Sequence, residues 1–290
     1  MKSLVFICGY PRSGTTLLVN LLNTGNGVIV RNETKFIVEY FREYSKLRSN
    51  TDYLRFSLKL FEHFKTRRAL KNRFNNEMDI FACLVKHKGL PDKISWGKVC
   101  EEILSEGEAI VVGEKTPGYV FHLDFLKETF PNAKFIFINR DPRDVFLSIK
   151  KVNWGAHNVY FHSLQWKAYT SAWNKFGSAN SLAVSYEDLV QDSFSSSSAL
   201  SEFLGTLLDP NIIKQKNKME WRNLFNMTLL ERLILEKECG YHMTKQGYKL
   251  TMSRYKIWYY NLLVLYFVFD QVCGTLKNKI LAIPLKPMEK

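Results

Sequence analysis

Four short stretches of this 290-residue chain carry side chains suited to handling an oxyanion. The first, Val5-Phe-Ile-Cys-Gly-Tyr-Pro-Arg-Ser-Gly-Thr-Thr-Leu-Leu18, runs from an apolar strand through a glycine-bounded loop into a leucine-rich helix. In that layout the amides of Ser13, Gly14, Thr15 and Thr16 and the helix N-terminus converge on one point, where the helix dipole favours negative charge. The second, Lys134-Phe-Ile-Phe-Ile-Asn-Arg-Asp-Pro-Arg-Asp-Val-Phe-Leu-Ser148, delivers Arg140 from a strand and Ser148 from the helix that follows. An Arg fork with a hydroxyl beside it suits a phosphate monoester. The plainer alternative is a capped helix start with surface charges. The third, Gly113-Glu-Lys-Thr-Pro117, aims Lys115 at the same crevice, where a compact ammonium can stabilise charge building on a transferring group. The fourth is Asn32-Glu-Thr34, whose acid alone reads as an exposed loop or cap residue.

The elements that must position these residues alternate strand and helix. Strands are expected at Leu4–Cys8, Val28–Val30, Ala109–Gly113, Lys134–Asn139 and Leu182–Val184. Helices are expected at Thr15–Asn23, Lys35–Leu47, Tyr119–Phe130, from the Arg140 motif through Lys151, and at His162–Phe176. The implied fold is α/β: a three-layer, mostly parallel sheet with a phosphate-loop-like nucleotide site at the strand C-termini. Residues 50–105 read as a helical insertion, and residues 251–290 as a separate apolar and basic helical tail after a main domain of residues 1–250. The basic run Lys65, Arg67, Arg68, Lys71 and Arg73 in the insertion is either an acceptor-binding lip or a solvated helix face.

Composition narrows the partners. Net charge is +13 and 46% of residues are hydrophobic, so a full core and an anionic partner are both expected. The five cysteines are scattered and odd in number, without C-x-x-C or metal-ligand spacing, so neither a disulfide framework nor a metal is expected. Met1-Lys2-Ser3 leads straight into the first strand with no signal-like run, which sets a cytoplasmic expectation. Ile257–Phe269, apolar and aromatic between Arg254, Lys256, Lys277 and Lys279, reads as a core helix or as an interfacial helix on an anionic membrane, peripheral at the inner face.

The loop has the glycine spacing of a Walker phosphate loop, but Thr15 stands where the lysine should be. Pro-Arg-Ser-Gly-Thr-Thr-Leu-Leu resembles instead the 5′-phosphosulfate loop of sulfotransferases, which use 3′-phosphoadenosine 5′-phosphosulfate (PAPS) and release 3′-phosphoadenosine 5′-phosphate (PAP). Arg140 and Ser148 resemble that family's 3′-phosphate motif. Phe6 to Lys35 resembles the start of protein-tyrosine sulfotransferases, and the likeness extends over roughly Leu4 to Gly205. It implies Glu33 as catalytic base, Arg12 as the loop arginine, Lys115 as the lysine after the third strand, and Tyr186 as the aromatic contact to adenine. Proton abstraction by Glu33 suits a buried carboxylate; His122 or His157 is the fallback base. The R-K-G-x-x-G loop of cytosolic small-molecule sulfotransferases is missing, with Lys216, Lys218 and Arg222 as open replacements. The expected acceptor is a hydroxyl on a carbohydrate, glycolipid or other small molecule, without nucleic acid. A nucleotide kinase and a noncatalytic nucleotide-binding, membrane-docked module are the other classes carried.

Overall fold

A computed structural model describes residues 2–67, 69–71, 73–88, 91–216 and 227–251. The side chains of 214–216 are not among what is described. Five parallel strands lie in the order β2-β3-β1-β4-β5. They are β1 (Ser3–Gly9), β2 (Val28–Asn32), β3 (Val111–Lys115), β4 (Lys134–Asn139) and β5 (Ser181–Ser185). Because all run the same way, every strand C-terminus opens on one edge of the sheet, and the site is built there.

The two faces of the sheet explain the continuous apolar runs of β1 and β4. Leu4, Phe6, Cys8, Phe135 and Phe137 enter one core. Val5, Ile7, Ile136 and Ile138 enter the opposite one. Alternation of side chains across a pleated strand, with both faces covered, requires this pattern.

Helix α1 (Thr15–Leu22) follows the first loop and packs on the second core. The expected helix over Lys35–Leu47 is two short turns, α2 (Phe36–Glu39) and α3 (Phe41–Tyr44), broken at Tyr40. Among the described residues of the insertion the regular elements are all helices, joined by turns, as expected. They are α4 (Asn50–Thr66), α5 (Glu77–Lys86) and α6 (Lys93–Leu104). Each starts on a side-chain cap, at Ser49, Asn76 and Asp92 respectively. These helices lay Phe56, Leu60, Phe64, Ile80, Trp96 and Ile103 over the first core.

Strand β3 ends two residues later than the sequence suggests, so Glu114 and Lys115 belong to it and are buried. The segment after it opens as a 3₁₀ turn, Pro117–His122, before α7 (Leu123–Thr129). Pro117 sets that turn, since proline fits a first helical position. The chain continues through α8 (Pro142–Ile149), α9 (Val159–Lys175), α10 (Tyr186–Gln191), α11 (Ser193–Leu204), α12 (Asn211–Lys216) and α13 (Leu229–Lys245).

Helix α13 lies against α8 and α9 and forms a third core with Phe146, Trp166, Ile234 and Leu235. Among the described residues no helix is long and apolar enough to cross a membrane. Ile257–Phe269 lies outside the described residues, as does Cys273. Cys8, Cys83, Cys100 and Cys239 are buried free thiols.

Candidate active site at the strand C-termini

A cleft of about 600 Å³ crosses the C-terminal edge of the sheet. It gathers Arg12, Gly14, Thr15, Thr16, Glu33, Lys115, Arg140, Ser148 and Tyr186. Four motifs spread along the chain from the first loop to the Arg140 segment are thus brought together, as the strand-end placement requires.

The loop after β1 is shaped for an anion. Gly14 sits at φ +95°, and a Cβ there would fall 2.4 Å from the Tyr186 ring. Both its conformation and the close ring demand glycine. No side chain caps α1, so its first-turn amides have no side-chain acceptor. The amide of Ser13 is not part of that cradle: it donates to the Tyr10 carbonyl at 3.1 Å. The expectation that the cradle starts at Ser13 is therefore corrected to Gly14 for the backbone. The Ser13 hydroxyl is buried with no partner.

The second motif joins the first directly. Arg12 Nε donates to Ser148 Oγ at 3.0 Å, and Arg140 Nη1 donates to the Arg12 carbonyl at 3.2 Å. The Arg140 guanidinium lies 4.1 Å from the Tyr186 ring centre. Its Nε is buried and unpartnered. Tyr186 is thus a platform that aims Arg140, braced in turn by the loop at Gly14.

Behind this motif Arg143 is fully buried. It bonds Asp141 through Nε at 3.0 Å and Nη2 at 2.7 Å, and Glu236 of α13 through Nη1 at 2.7 Å. Glu236 also accepts from the Thr251 amide at 2.8 Å. Asp141 meanwhile caps α8 through the Arg143 amide. The segment carrying Arg140 is therefore held by a helix beyond residue 210.

The Glu33 corner differs from expectation. Its side chain is 47% exposed, not buried, and accepts from Lys115 Nζ at 2.7 Å, while Lys115 is only 4% exposed. The Glu33 amide donates to the Lys115 carbonyl at 2.7 Å, so backbone and side chain both tie the acid to β3. The buried carboxylate in this corner is Glu114, which sequence reasoning did not single out. It accepts from the Lys35 amide at 2.7 Å, the Thr116 hydroxyl at 2.7 Å and the Tyr119 hydroxyl at 3.3 Å. Burial raises its pKa, opposed by those hydrogen bonds.

Glu114 fastens the turn that presents Glu33. Both Glu33 and Lys35 have left-handed backbones, at φ +44° and +61°, as does Arg12 at +72°. Three non-glycine residues in that region, all lining one cleft, concentrate backbone strain at the candidate site.

His122 lines the cleft, and burial lowers its pKa. His157 is exposed and not among the lining residues. Trp154 and Tyr169 add an aromatic wall that the sequence did not reveal. Lys216 ends α12, but its side chain, together with Lys218 and Arg222, lies outside what is described. Among the described residues no group of three or more His, Cys, Asp or Glu could hold a metal ion.

A family model described as "Sulfotransferase family" matches residues 4–210, well over half of the chain. The chain belongs to the sulfotransferase family. Among its relatives is a 3-alpha-hydroxysteroid sulfotransferase from Cavia porcellus, 29% identical over 206 residues, covering 59% of this chain and 70% of the relative. Among solved structures, the sulfotransferase domain from the curacin biosynthetic pathway is 18% identical with a TM-score of 0.48, covering 86% of this chain and 99% of the other. A sulfotransferase from Alicyclobacillus acidocaldarius is 13% identical with a TM-score of 0.47, covering 87% and 98%.

Proposed function

We propose that this chain transfers a sulfuryl group from PAPS to an acceptor hydroxyl, with Glu33 as general base. The observation that carries this reading is the joining of the loop arginine, the Arg140–Ser148 motif and the Glu33–Lys115 pair in one cleft. Buried polar atoms without partners at Ser13 and Arg140 fit a nucleotide with two phosphate positions. PAPS, when bound, supplies an activated sulfuryl group on its 5′-phosphate.

The chain's own residues divide the work. The amides of Gly14, Thr15 and Thr16 hold the 5′ end with the Ser13 hydroxyl behind them. Arg140 and Ser148 hold the 3′-phosphate, and Tyr186 keeps Arg140 aimed while offering its ring edge to adenine. Arg12, bonded to Ser148, stands between the two anionic groups and tempers both. Glu33 takes the acceptor proton at Oε1 or Oε2. Once neutral, it releases its hold on Lys115, whose charge then stabilises the departing phosphate oxygen. Positioning and charge stabilisation suffice, as in phosphoryl transfer, so no metal is invoked.

The catalytic unit runs to about residue 250, because the Arg143–Glu236 link makes α13 part of the support for Arg140. The acceptor is a hydroxyl on a carbohydrate, glycolipid or other small molecule. Incubation with sulfur-labelled PAPS and a panel of sugar, lipid-linked and phenolic hydroxyls tests the reaction. Label transferred to an acceptor supports it; phosphate transferred from γ-labelled ATP instead would establish the kinase reading, against which Thr15 in the lysine position speaks.

The sequence of the tail motivates a cytoplasmic, membrane-surface address. The full chain is expected to co-sediment with anionic liposomes, weakly in high salt, and truncation after Thr251 is expected to abolish this. Intact protein that ignores such liposomes, together with a truncation that collapses the fold, would assign the tail to the core.

A further inference from the structure

We infer that the acceptor carries an anionic group, held beside Arg67 and Asn32 in a groove that opens off the catalytic pair. The inference rests on the sulfotransfer reading and names the substrate class of that same site. A second hollow of about 820 Å³ runs along the outer edge of β2. It shares Thr16, Glu33 and Lys115 with the main cleft, so a ligand in it lies beside the base, in a hollow that Arg140 and Tyr186 do not line.

Strand β2 is the sheet edge, yet this groove is not built for a pairing strand. The Asn23 side chain already accepts from the Val30 amide at 2.7 Å and donates to the Val30 carbonyl at 3.1 Å. The edge is closed there, and recognition falls to side chains.

The charges in the groove do not cancel. Arg31 is spent: its donors go to the Leu104 carbonyl, the Ala69 carbonyl and Glu106. Lys115 is paired with Glu33. Arg67 is different. Its guanidinium makes no ion pair or side-chain hydrogen bond among the described residues, and its Nε is shut off from water without a partner. Arg67 is half-buried, so its Nη groups are left to water or to an anion in the groove, and a charge-assisted bond to an anion is the stronger of the two. The Asn32 amide, exposed at the end of β2 next to Glu33, is a second unspent donor.

The rest of the basic run points elsewhere. Lys65 pairs with Glu62. Arg73 lies over Phe74 and bonds the Glu102 carbonyl. Lys71 is exposed and Arg68 is not described. Only Arg67 of the described members lines the groove that meets the base. Helix α4 fixes its place, since His63 Nε2 donates to the Thr34 carbonyl at 2.9 Å and ties the helix end to the Glu33 turn.

The test uses the full chain saturated with PAP and titrates two hydroxyl acceptors, each as acid and as neutral methyl ester. One pair is a glucuronate-containing disaccharide and the other is 4-hydroxyphenylacetate. At least one acid is expected to bind about tenfold or more tightly than its ester, the scale of a charge-assisted hydrogen bond. Arg67→Met, which keeps the apolar stem, abolishes the preference, and Arg67→Lys restores part of it. Lys71→Ala leaves it unchanged. No preference for either acid, or one that survives Arg67→Met, overturns the inference. PAP titrated first on the same samples separates the two readings. Failure of PAP to bind removes both, whereas PAP binding without the preference removes only the anion subsite.

Discussion

Glu33→Gln is expected to keep PAP affinity and to slow sulfuryl transfer by about 10²–10⁴-fold, the usual worth of a positioned general base. The amide retains the side chain's shape and its acceptor oxygen for Lys115, so the turn at φ +44° has no new reason to move. What is lost is the ability to take a proton. Glu33 is half exposed but Lys115 is only 4% exposed, so the amide leaves a buried ammonium with a hydrogen-bond acceptor and without its counter-charge, and some stability is lost with the rate. Single-turnover transfer from labelled PAPS, with calorimetric PAP titration alongside, measures both quantities. A variant with near wild-type turnover would move the base to His122, the imidazole that lines the cleft.

The second large effect concerns the frame. Arg143→Met is expected to destabilise the protein by about 3–5 kcal/mol, because it removes a buried counter-charge from beside two buried carboxylates. Arg143 is 2% exposed, Asp141 1% and Glu236 3%, so solvent screens the pairs little. Adding Asp141→Asn and Glu236→Gln to Arg143→Met should recover part of the loss, since the neutral set lowers the net charge buried there. Urea unfolding followed by tryptophan fluorescence reads the change. A loss under about 1 kcal/mol, the range of a surface ion pair, would show that the network does not brace the motif.

The site was legible in sequence where its chemistry is local. Gly14, Pro11 and the flanking apolar run announce a strand–loop–helix unit at the candidate site, and Arg140 and Ser148 follow a strand at helical spacing. The parallel sheet was legible because β1 and β4 are apolar on both faces. What escaped depends on distance or on unusual backbone. Arg143 reads locally as a surface charge in a helix cap; its burial is set by Glu236, on α13. Glu114 was read as lying past the strand, but it is inside β3, and its inward direction follows from the register with β1 and β2. Left-handed backbones at Arg12, Glu33 and Lys35 carry no glycine to mark them. The exposure of Glu33 could not be foreseen for a related reason: the turn lifts it to the rim and leaves Glu114 beneath. Of the basic run, nothing in the spacing separates Arg67 from Arg73, which the fold sends to different grooves.

The central claim is that the cleft binds a 3′-phosphorylated adenosine nucleotide through Arg140. Calorimetric titration of wild-type protein and Arg140→Ala with PAP and with ATP, without added metal, tests it most directly. The account predicts that wild type binds PAP well and ATP poorly. It also predicts that Arg140→Ala loses about 10- to 150-fold in PAP affinity, the equivalent of about 1.5–3 kcal/mol for hydrogen bonds to a charged group. ATP binding as tightly as PAP, or an Arg140→Ala variant with unchanged PAP affinity, would contradict it.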